Sequence, residues 1–129
     1  MQHASVLLIE PDDDNRTMYA EFLRREKFVC LTAETAEDGL LFANMVDVVI
    51  TGIRLRGAFD GVELVRRLRQ KADTRQTPII VLTAAVFEPD RLRALGAGCD
   101  VFLPKPCLPE HLARTVRRTL KGRLERRAS

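Results

Sequence analysis

The chain has 129 residues, 46% of them hydrophobic, and it carries 21 lysines and arginines against 18 acidic residues. This length and composition suit one domain with a single core, residues 1–129, and the net charge of +3 is too small to indicate a nucleic-acid-binding protein. Because no apolar run approaches the length of a membrane span and no secretory leader precedes the first strand-like run, we expect a cytoplasmic protein with no membrane partner.

Five short apolar runs alternate with longer segments along the chain. They have the length of strands and cover residues 6–9, 28–31, 48–50, 79–82 and 101–103. Most of them are apolar at every position, which is typical of parallel strands that are buried on both faces.

The segments between these runs show apolar residues at helical spacing. The clearest stripes consist of Met18, Tyr19, Phe22 and Leu23, of Val62, Val65 and Leu68, and of Leu108, Leu112, Val116 and Leu120. Thr35, Asp60 and residues 88–91 are typical of the starts of the second, third and fourth helices. Strict alternation of five strands with five helices predicts an α/β domain, in which helices cover both faces of a parallel sheet.

The cysteines and histidines do not form a recognisable site. Cys30, Cys99 and Cys107 are an odd set without the C-x-x-C or His/Cys spacing of a zinc site. They also give no basis for a disulfide framework. His3 and His111 have no second ligand or nucleophile at a suggestive spacing, so we expect both at the surface.

Polar residues follow several of the predicted strands at the point where each strand ends. An acidic cluster, EPDDDN, begins at Glu10, while Thr51 and Gly52 follow the third strand. Thr83 follows the fourth strand and Lys105 the fifth. Ligands of such sheets bind at the carboxyl ends of the strands, so these residues favour a site for a phosphoryl group and a hard cation.

Four segments carry a resemblance through their order and spacing: VLLIEPDDDNR, VVITGIRLRGAFDGVELVRRLR, TPIIVLTA and GCDVFLPKP. The chain resembles the receiver domains of two-component response regulators over residues 5–120, which leaves residues 121–129 as a basic tail. The resemblance implies a flavodoxin-like (βα)5 doubly wound fold, with a five-stranded parallel sheet of order 2-1-3-4-5. It also implies a signalling domain rather than an enzyme, which accepts a phosphoryl group from a histidine kinase on an aspartate that ends the third strand.

The resemblance assigns a role to five positions. Family receivers use two acids after the first strand, the second of which helps to hold Mg²⁺, together with a hydroxyl and a lysine that hold phosphoryl oxygens. Glu10 matches the first acid, Thr83 the hydroxyl and Lys105 the lysine. Phe102 matches the aromatic residue that reports the change to the outer face, and Pro106 matches a position where the peptide bond is cis.

Two positions depart from the family pattern. Gly52 stands where the acceptor aspartate is expected, and Pro11 stands where the metal-binding acid is expected. Glycine has no oxygen to attack phosphorus, and proline has neither a side-chain ligand nor a backbone N–H. We therefore predict a pseudo-receiver without a resident cofactor or metal, in which Glu10 and Asp12 could still bind Mg²⁺ weakly. Lys105, deprived of its usual partner, is expected to pair with Glu10 or Asp12.

Three rival functions remain open. The first is a phosphotransfer receiver that uses Mg²⁺ and a substitute acceptor, for which Thr51 and Asp60 are the nearby candidates. Strand alternation points Thr51 away from residue 52, and Asp60 is better explained as a helix start. The second is a flavin- or nucleotide-binding enzyme, which the missing glycine-rich phosphate loop and the few aromatic residues disfavour. The third is a DNA-associated role of the basic carboxyl end.

The carboxyl end is predicted to be a basic amphipathic helix. Leu112, Val116, Leu120 and Leu124 are expected to face inward, while the outer face carries Arg114, Arg117, Arg118, Lys121, Arg123, Arg126 and Arg127. By resemblance, the surface formed by the fourth helix, the fifth strand and the fifth helix binds a protein partner, which is a histidine kinase, an output domain, another regulator or a second copy of the chain. Positive charge favours an acidic partner. Nucleic acid is not expected, because aromatic stacking residues are absent here.

Overall fold

Strands and helices alternate throughout the computed structural model, which describes residues 3–128, except for the side chains of the last two. The strands are β1 (Ser5–Ile9), β2 (Val29–Ala33), β3 (Val48–Thr51), β4 (Ile79–Thr83) and β5 (Val101–Pro104). The helices are α1 (Asp13–Arg25), α2 (Ala36–Phe42), α3 (Gly61–Gln70), α4 (Glu88–Ala97) and α5 (Pro109–Ala128), and a short 3-10 turn (Ala43–Met45) follows α2. Arg127 and Ser129, which belong to the predicted basic tail, lie outside the described side chains.

The five strands form one parallel sheet in the order β2-β1-β3-β4-β5. This order confirms the predicted doubly wound, flavodoxin-like fold. Successive strands are joined by helices, and the order of addition reverses beside β1, where the chain continues to β3 on the other side. The carboxyl ends of β1, β3, β4 and β5 consequently lie beside one another, and this edge of the sheet is where a ligand site is expected.

The core has two apolar clusters, one on each face of the sheet. Along β1, Val6 and Leu8 point into the cluster formed with α1 and α5, while Leu7 and Ile9 point into the cluster formed with α3. All four side chains are at most 1% exposed. Burial on both faces explains why these strands are apolar at every position rather than alternately apolar and polar.

The predicted helix starts agree with the structure. The Thr35 side chain accepts a hydrogen bond from the Asp38 N–H at 3.1 Å at the start of α2. The Asp60 side chain accepts one from the Glu63 N–H at 2.9 Å at the start of α3, and α4 begins at Glu88. The two side-chain caps satisfy backbone donors that have no partner within the helix, and so help to determine where α2 and α3 begin.

Three details of the predicted elements are wrong. Phe28 lies outside β2, which runs from Val29 to Ala33. Leu108, expected to continue the buried stripe of the last helix, is 70% exposed because α5 begins one residue later, at Pro109. Leu124, expected to face inward, is 65% exposed. No helix within residues 3–128 is long and apolar enough to cross a membrane.

Candidate functional site

A small cavity lies at the carboxyl edge of the sheet and has a volume of about 130 Å³. Five of its lining residues are ones that the family pattern assigns to this edge, and five more come from neighbouring loops and strands. The full lining is Glu10, Pro11, Gly52, Ile53, Arg54, Leu82, Thr83, Ala84, Ala85 and Lys105. The structure therefore brings together both positions that depart from the family pattern and three of those that match it.

Gly52 follows β3 directly, and the cavity has room for a side chain at this position. A Cβ atom built on Gly52 would lie 3.6 Å from the Leu82 carbonyl oxygen and 3.7 Å from Leu55 Cδ2, which are ordinary contact distances. The backbone of Gly52 is also not in the left-handed region, where glycine is favoured. Neither packing nor backbone conformation requires glycine here, so the missing carboxylate is a chemical difference and not a steric one.

Gly61, the first residue of α3, is a glycine that packing does require. Its N–H donates to the Ile53 carbonyl at 2.7 Å. A Cβ atom on Gly61 would lie only 1.8 Å from the Gly52 carbonyl oxygen and 2.8 Å from the Gly52 carbonyl carbon. The start of α3 consequently packs directly against the backbone of the chain segment that follows β3, and this contact holds the segment at the rim of the cavity.

Lys105 and Glu10 form an ion pair across the cavity. The Lys105 Nζ donates to Glu10 Oε1 at 2.5 Å, and Glu10 Oε2 accepts a hydrogen bond from the Asp12 N–H at 3.0 Å. The two side chains are 19% and 7% exposed. A largely buried ammonium group needs a counter-charge, and the first of the two partners predicted for Lys105 supplies it.

The other acids that follow β1 are used in local structure. Asp12 does not line the cavity, because its side chain caps α1 by accepting a hydrogen bond from the Asn15 N–H at 2.8 Å. Asp13 pairs with Arg16 at 2.6 Å. The Arg16 guanidinium, through this hydrogen bond and its charge, holds the pKa of the Asp13 carboxyl below its ordinary value.

The residues present do not fit the Mg²⁺ ion that the family resemblance implies. Mg²⁺ prefers several oxygen ligands in near-octahedral geometry. Glu10 already has both carboxylate oxygens engaged, and Pro11 and Gly52 have no side-chain oxygen. Within residues 3–128, no group of three or more His, Cys, Asp or Glu side chains could hold a metal ion. Arg54, which sequence reasoning missed, adds a second cation to the cavity lining.

Arg54 could have been found from its position in the segment directly after β3, because the residues that follow a strand at its carboxyl end lie at the edge where ligands bind. In the described part of the chain its side chain makes no hydrogen bond or ion pair. The cavity therefore has one carboxylate and two cations. This balance is the opposite of the net negative charge that attracts a hard divalent cation.

The hydroxyl groups near the cavity take part in backbone contacts. Thr83 lines the cavity, and its Oγ1 accepts a hydrogen bond from the Ala85 N–H at 3.0 Å. Thr51 is fully buried, and its Oγ1 donates to the Gly52 carbonyl at 2.9 Å. Thr51 and Asp60, the two candidate substitute acceptors, do not line the cavity. Asp60 caps α3 and also pairs with Arg93 at 3.1 Å.

Two further predicted residues lie on or just after β5. Phe102 is partly buried and packs against the apolar cluster on the α3 side of the sheet. The Lys105–Pro106 peptide bond is cis, as predicted. Neither Phe102 nor Pro106 lines the cavity. A role of either residue in signalling would therefore involve the surface next to the cavity and not the cavity itself.

The three cysteines are buried and are expected to react slowly with alkylating reagents. Burial raises the pKa of Cys30 and of Cys99 to about 11 from the ordinary value of 9.0, and it also raises that of Cys107. At pH 8 a rise of this size lowers the thiolate fraction about a hundredfold, so iodoacetamide should modify the native chain far more slowly than the chain in urea.

The raised pKa values of Cys30 and Cys99 also predict that the free energy of unfolding depends on pH. The thiols of the unfolded chain ionise near pH 9, whereas those of Cys30 and Cys99 in the folded chain ionise only near pH 11. The stability that these uncharged thiols contribute to the folded state is therefore complete below about pH 9 and is lost as the pH rises towards 11.

Mass spectrometry of the alkylated chain at several pH values would check the predicted reactivity of the thiols. Equal rates in native and unfolded chains would contradict the assigned burial.

Comparison with protein families and curated proteins finds similar chains. The family model "Response regulator receiver domain" matches residues 6–117. Transcriptional regulatory protein CpxR of Klebsiella pneumoniae is 33% identical over 117 residues, and AfsQ1 of Streptomyces coelicolor is 37% identical over 119 residues. These matches cover 90% and 91% of this chain but 49% and 51% of the two relatives, so the chain spans about half the length of the curated relatives it matches.

Solved structures with the same arrangement of strands and helices include two receivers. The receiver domain of sensor histidine kinase PA1611 from Pseudomonas aeruginosa, solved with a magnesium ion in its active site cleft, has a TM-score of 0.85 and 27% identity. Chemotaxis protein CheY4 of Vibrio cholerae has a TM-score of 0.83 and 26% identity. The first match covers 92% of this chain and the second 91%, and each covers 98% of the solved chain.

Proposed function

Because the chain belongs to the response regulator receiver domain family, we propose that it is a receiver that has lost aspartyl phosphorylation and signals through protein–protein contact. The observation that carries this proposal is Gly52, which occupies the end of β3 within a cavity that would accommodate a carboxylate. A phosphoryl group is accepted by a nucleophilic side-chain atom, and glycine has no side chain to supply one.

The contacts around the cavity support the same proposal. Lys105, the residue that would hold a phosphoryl oxygen, is already paired with Glu10 at 2.5 Å. The two candidate substitute acceptors, Thr51 and Asp60, are engaged in backbone and capping contacts and lie outside the cavity lining. Binding of a partner, rather than phosphorylation, would then decide between signalling states.

The surface formed by α4, β5 and α5 is the docking surface that we propose for the partner. α4 buries only Ala94 among its described residues. The surface exposes several large apolar side chains, namely Val86, Phe87, Leu92, Leu95 and Leu108. Clusters of exposed apolar residues with polar neighbours mark interaction sites. A histidine kinase, an output domain or another regulator would fit it, and so would a second copy of the chain.

The positive charge of α5 favours an acidic partner, although some of the basic residues predicted for its outer face contact other parts of the domain, as Arg123 does by donating to the Asp47 carbonyl at 3.1 Å. Arg117 pairs with Glu26 of α1 at 2.5 Å and lies over the ring of Phe28 at 5.6 Å. Arg114 and Lys121 are exposed on the same helix. Rim charges of this kind mainly affect the rate of association and its dependence on salt.

We expect the unmodified chain to gain no phosphoryl group during incubation with acetyl phosphate and Mg²⁺. Intact mass spectrometry measures this directly, and the receiver domain of PA1611, whose structure holds a magnesium ion in its active site cleft, is run beside it as the comparison for the reagent. An increase in the mass of the unmodified chain by one phosphoryl group would overturn the proposal, and peptide mapping would then identify the substitute acceptor.

A further inference from the structure

A second and larger cavity lies at the opposite edge of the sheet, near the amino ends of β4 and β5. Its volume is about 480 Å³, and a neighbouring cavity of about 280 Å³ shares Asp100 and Arg126 with it. The two together form an open depression that we call the arginine groove, defined by Arg69, Arg75, Asp100, Arg118, Gly122, Arg123 and Arg126. It shares no residue with the cavity around Gly52.

Arg69 and Asp100 form the fixed floor of the arginine groove. Arg69 donates from Nε to the Gly98 carbonyl at 3.0 Å and from Nη1 to the Thr77 carbonyl at 2.6 Å. Its Nη2 donates to Asp100 Oδ2 at 2.9 Å, and the same oxygen accepts a hydrogen bond from the Ile79 N–H at 2.8 Å. Asp100 is the one carboxylate among the described lining residues, and Arg69 already neutralises it.

At the rim of the arginine groove, Arg75, Arg118 and Arg126 carry positive charge that no carboxylate among the described lining residues balances. Arg123 donates to the Asp47 carbonyl at 3.1 Å, while the side chains of Arg75, Arg118 and Arg126 have no hydrogen bond or ion pair within the described part of the chain. These guanidinium groups come from the turn after α3, from the middle of α5 and from its last turns. Like charges that are held close together repel one another, and a bound anion would relieve that repulsion.

Gly122 keeps the arginine groove open. It lies within a 20-residue helix, where glycine is less favourable than alanine, so its presence is not explained by helix formation. A Cβ atom at Gly122 would lie 3.4 Å from Arg126 Nη1, and a longer side chain would extend into the depression that Gly122 and Arg126 line. The shape of the groove therefore depends on the absence of a side chain here.

We propose that the arginine groove binds a small anion with two or more adjacent phosphate groups. Guanidinium groups pair with phosphate oxygens through two parallel hydrogen bonds, and several guanidinium groups suit several phosphates. The volume of about 480 Å³ lies within the range of small-molecule sites, which is roughly 300–1,000 Å³. No aromatic side chain lines the groove within the described residues, so recognition rests on the phosphates and not on a stacked base.

The test is calorimetric titration of the whole chain with inorganic tripolyphosphate at low ionic strength, where such contacts are least screened. We expect saturable binding of one tripolyphosphate per chain, and about tenfold weaker binding of orthophosphate, which engages fewer guanidinium groups. The Arg75→Gln, Arg126→Gln double variant should weaken tripolyphosphate binding by about tenfold or more. Gly122→Leu should weaken it similarly by filling the groove without removing charge.

Matched variants separate this site from a general effect of charge. Arg25→Gln, Arg56→Gln removes two exposed arginines that line none of the cavities described above, and Gly96→Leu adds the same side chain on α4, where a Cβ atom meets nothing within 4 Å. Both should bind tripolyphosphate as the unmodified chain does, and circular dichroism confirms that each variant is folded. Equal weakening by Arg25→Gln, Arg56→Gln, absence of saturable binding, or equally tight binding of a tri-aspartate peptide would overturn the proposal.

Discussion

The Pro11→Asp, Gly52→Asp double variant is expected to gain one phosphoryl group from acetyl phosphate in the presence of Mg²⁺, whereas the unmodified chain gains none. Both positions line the same cavity as Thr83 and Lys105. A Cβ atom on Gly52 meets only ordinary contacts, so the new carboxylate fits without moving the backbone. Its oxygen would form a bond to phosphorus as the bond from phosphorus to the acetate oxygen breaks, and acetate would leave.

The change at residue 11 matters because it restores an acidic ligand beside Glu10. Pro11 precedes the Asp12 cap, so replacing it leaves the start of α1 in place. Gly52→Asp alone supplies the nucleophile without the second acid, and we expect it to be labelled more slowly than the double variant. Intact mass spectrometry over a time course gives both rates.

The matched control is the Pro11→Asn, Gly52→Asn double variant, which has nearly the same shape and no added carboxylate. It should remain unlabelled, as should the unmodified chain. Labelling of the asparagine variant would show that phosphate attaches elsewhere. Failure of the aspartate variant to gain any phosphate would show that the loss of chemistry is not confined to these two positions, and this result would contradict the account given for the cavity.

Replacing Glu10 by alanine is expected to lower the free energy of unfolding by about 3 kcal/mol, since removal of one partner leaves a largely buried charge unpaired. Lys105 is 19% exposed and Glu10 is 7% exposed, so water can compensate only partly. The variant also removes the acceptor for the Asp12 N–H, which Glu10 Oε2 binds at 3.0 Å. Urea denaturation followed by circular dichroism measures the change.

Two further variants test this interpretation of Glu10. Glu34→Ala removes a carboxylate that is 50% exposed and lies 3.0 Å from Arg16, and an exposed pair of this kind should cost less than about 1 kcal/mol. Lys105→Met in the Glu10→Ala background removes the unpaired charge and should recover part of the lost stability. A Glu10→Ala variant as stable as the unmodified chain would show that Lys105 does not depend on this pair.

The predicted labelling of the Gly52→Asp variants and the predicted destabilisation by Glu10→Ala both depend on Lys105. In the unmodified chain Lys105 has Glu10 as its only ion-pair partner within the described residues. In the Gly52→Asp variants a second carboxylate is close to it, so Lys105 can bind a phosphoryl oxygen only by loosening its contact with Glu10. Glu10→Ala should therefore lower the free energy of unfolding less in the Gly52→Asp background than in the unmodified chain. A thermodynamic cycle of the two single variants and the double variant would measure this difference.

Much of the fold follows from the sequence because its signals are local. The apolar runs along β1, β3 and β4 mark strands that are buried on both faces, and side chains such as Thr35 and Asp60 determine where helices begin. The departures at Pro11 and Gly52 can also be recognised in the sequence, because they depend on residue type at the end of a strand. The side chains of glycine and proline have no atom that can attack phosphorus or bind a metal ion, wherever the fold places them.

The tertiary structure decided the pairings between distant residues. Glu10 and Asp12 were equally open as partners of Lys105, and the structure separates them because the start of α1 uses Asp12 as its cap. The arginine groove was not predicted, since Arg69 and Arg126 are far apart in sequence and meet only when α5 runs back along the sheet. Local pattern determines which elements form and which chemistry is absent, whereas packing decides which charges meet, because that depends on distances that no sequence spacing encodes.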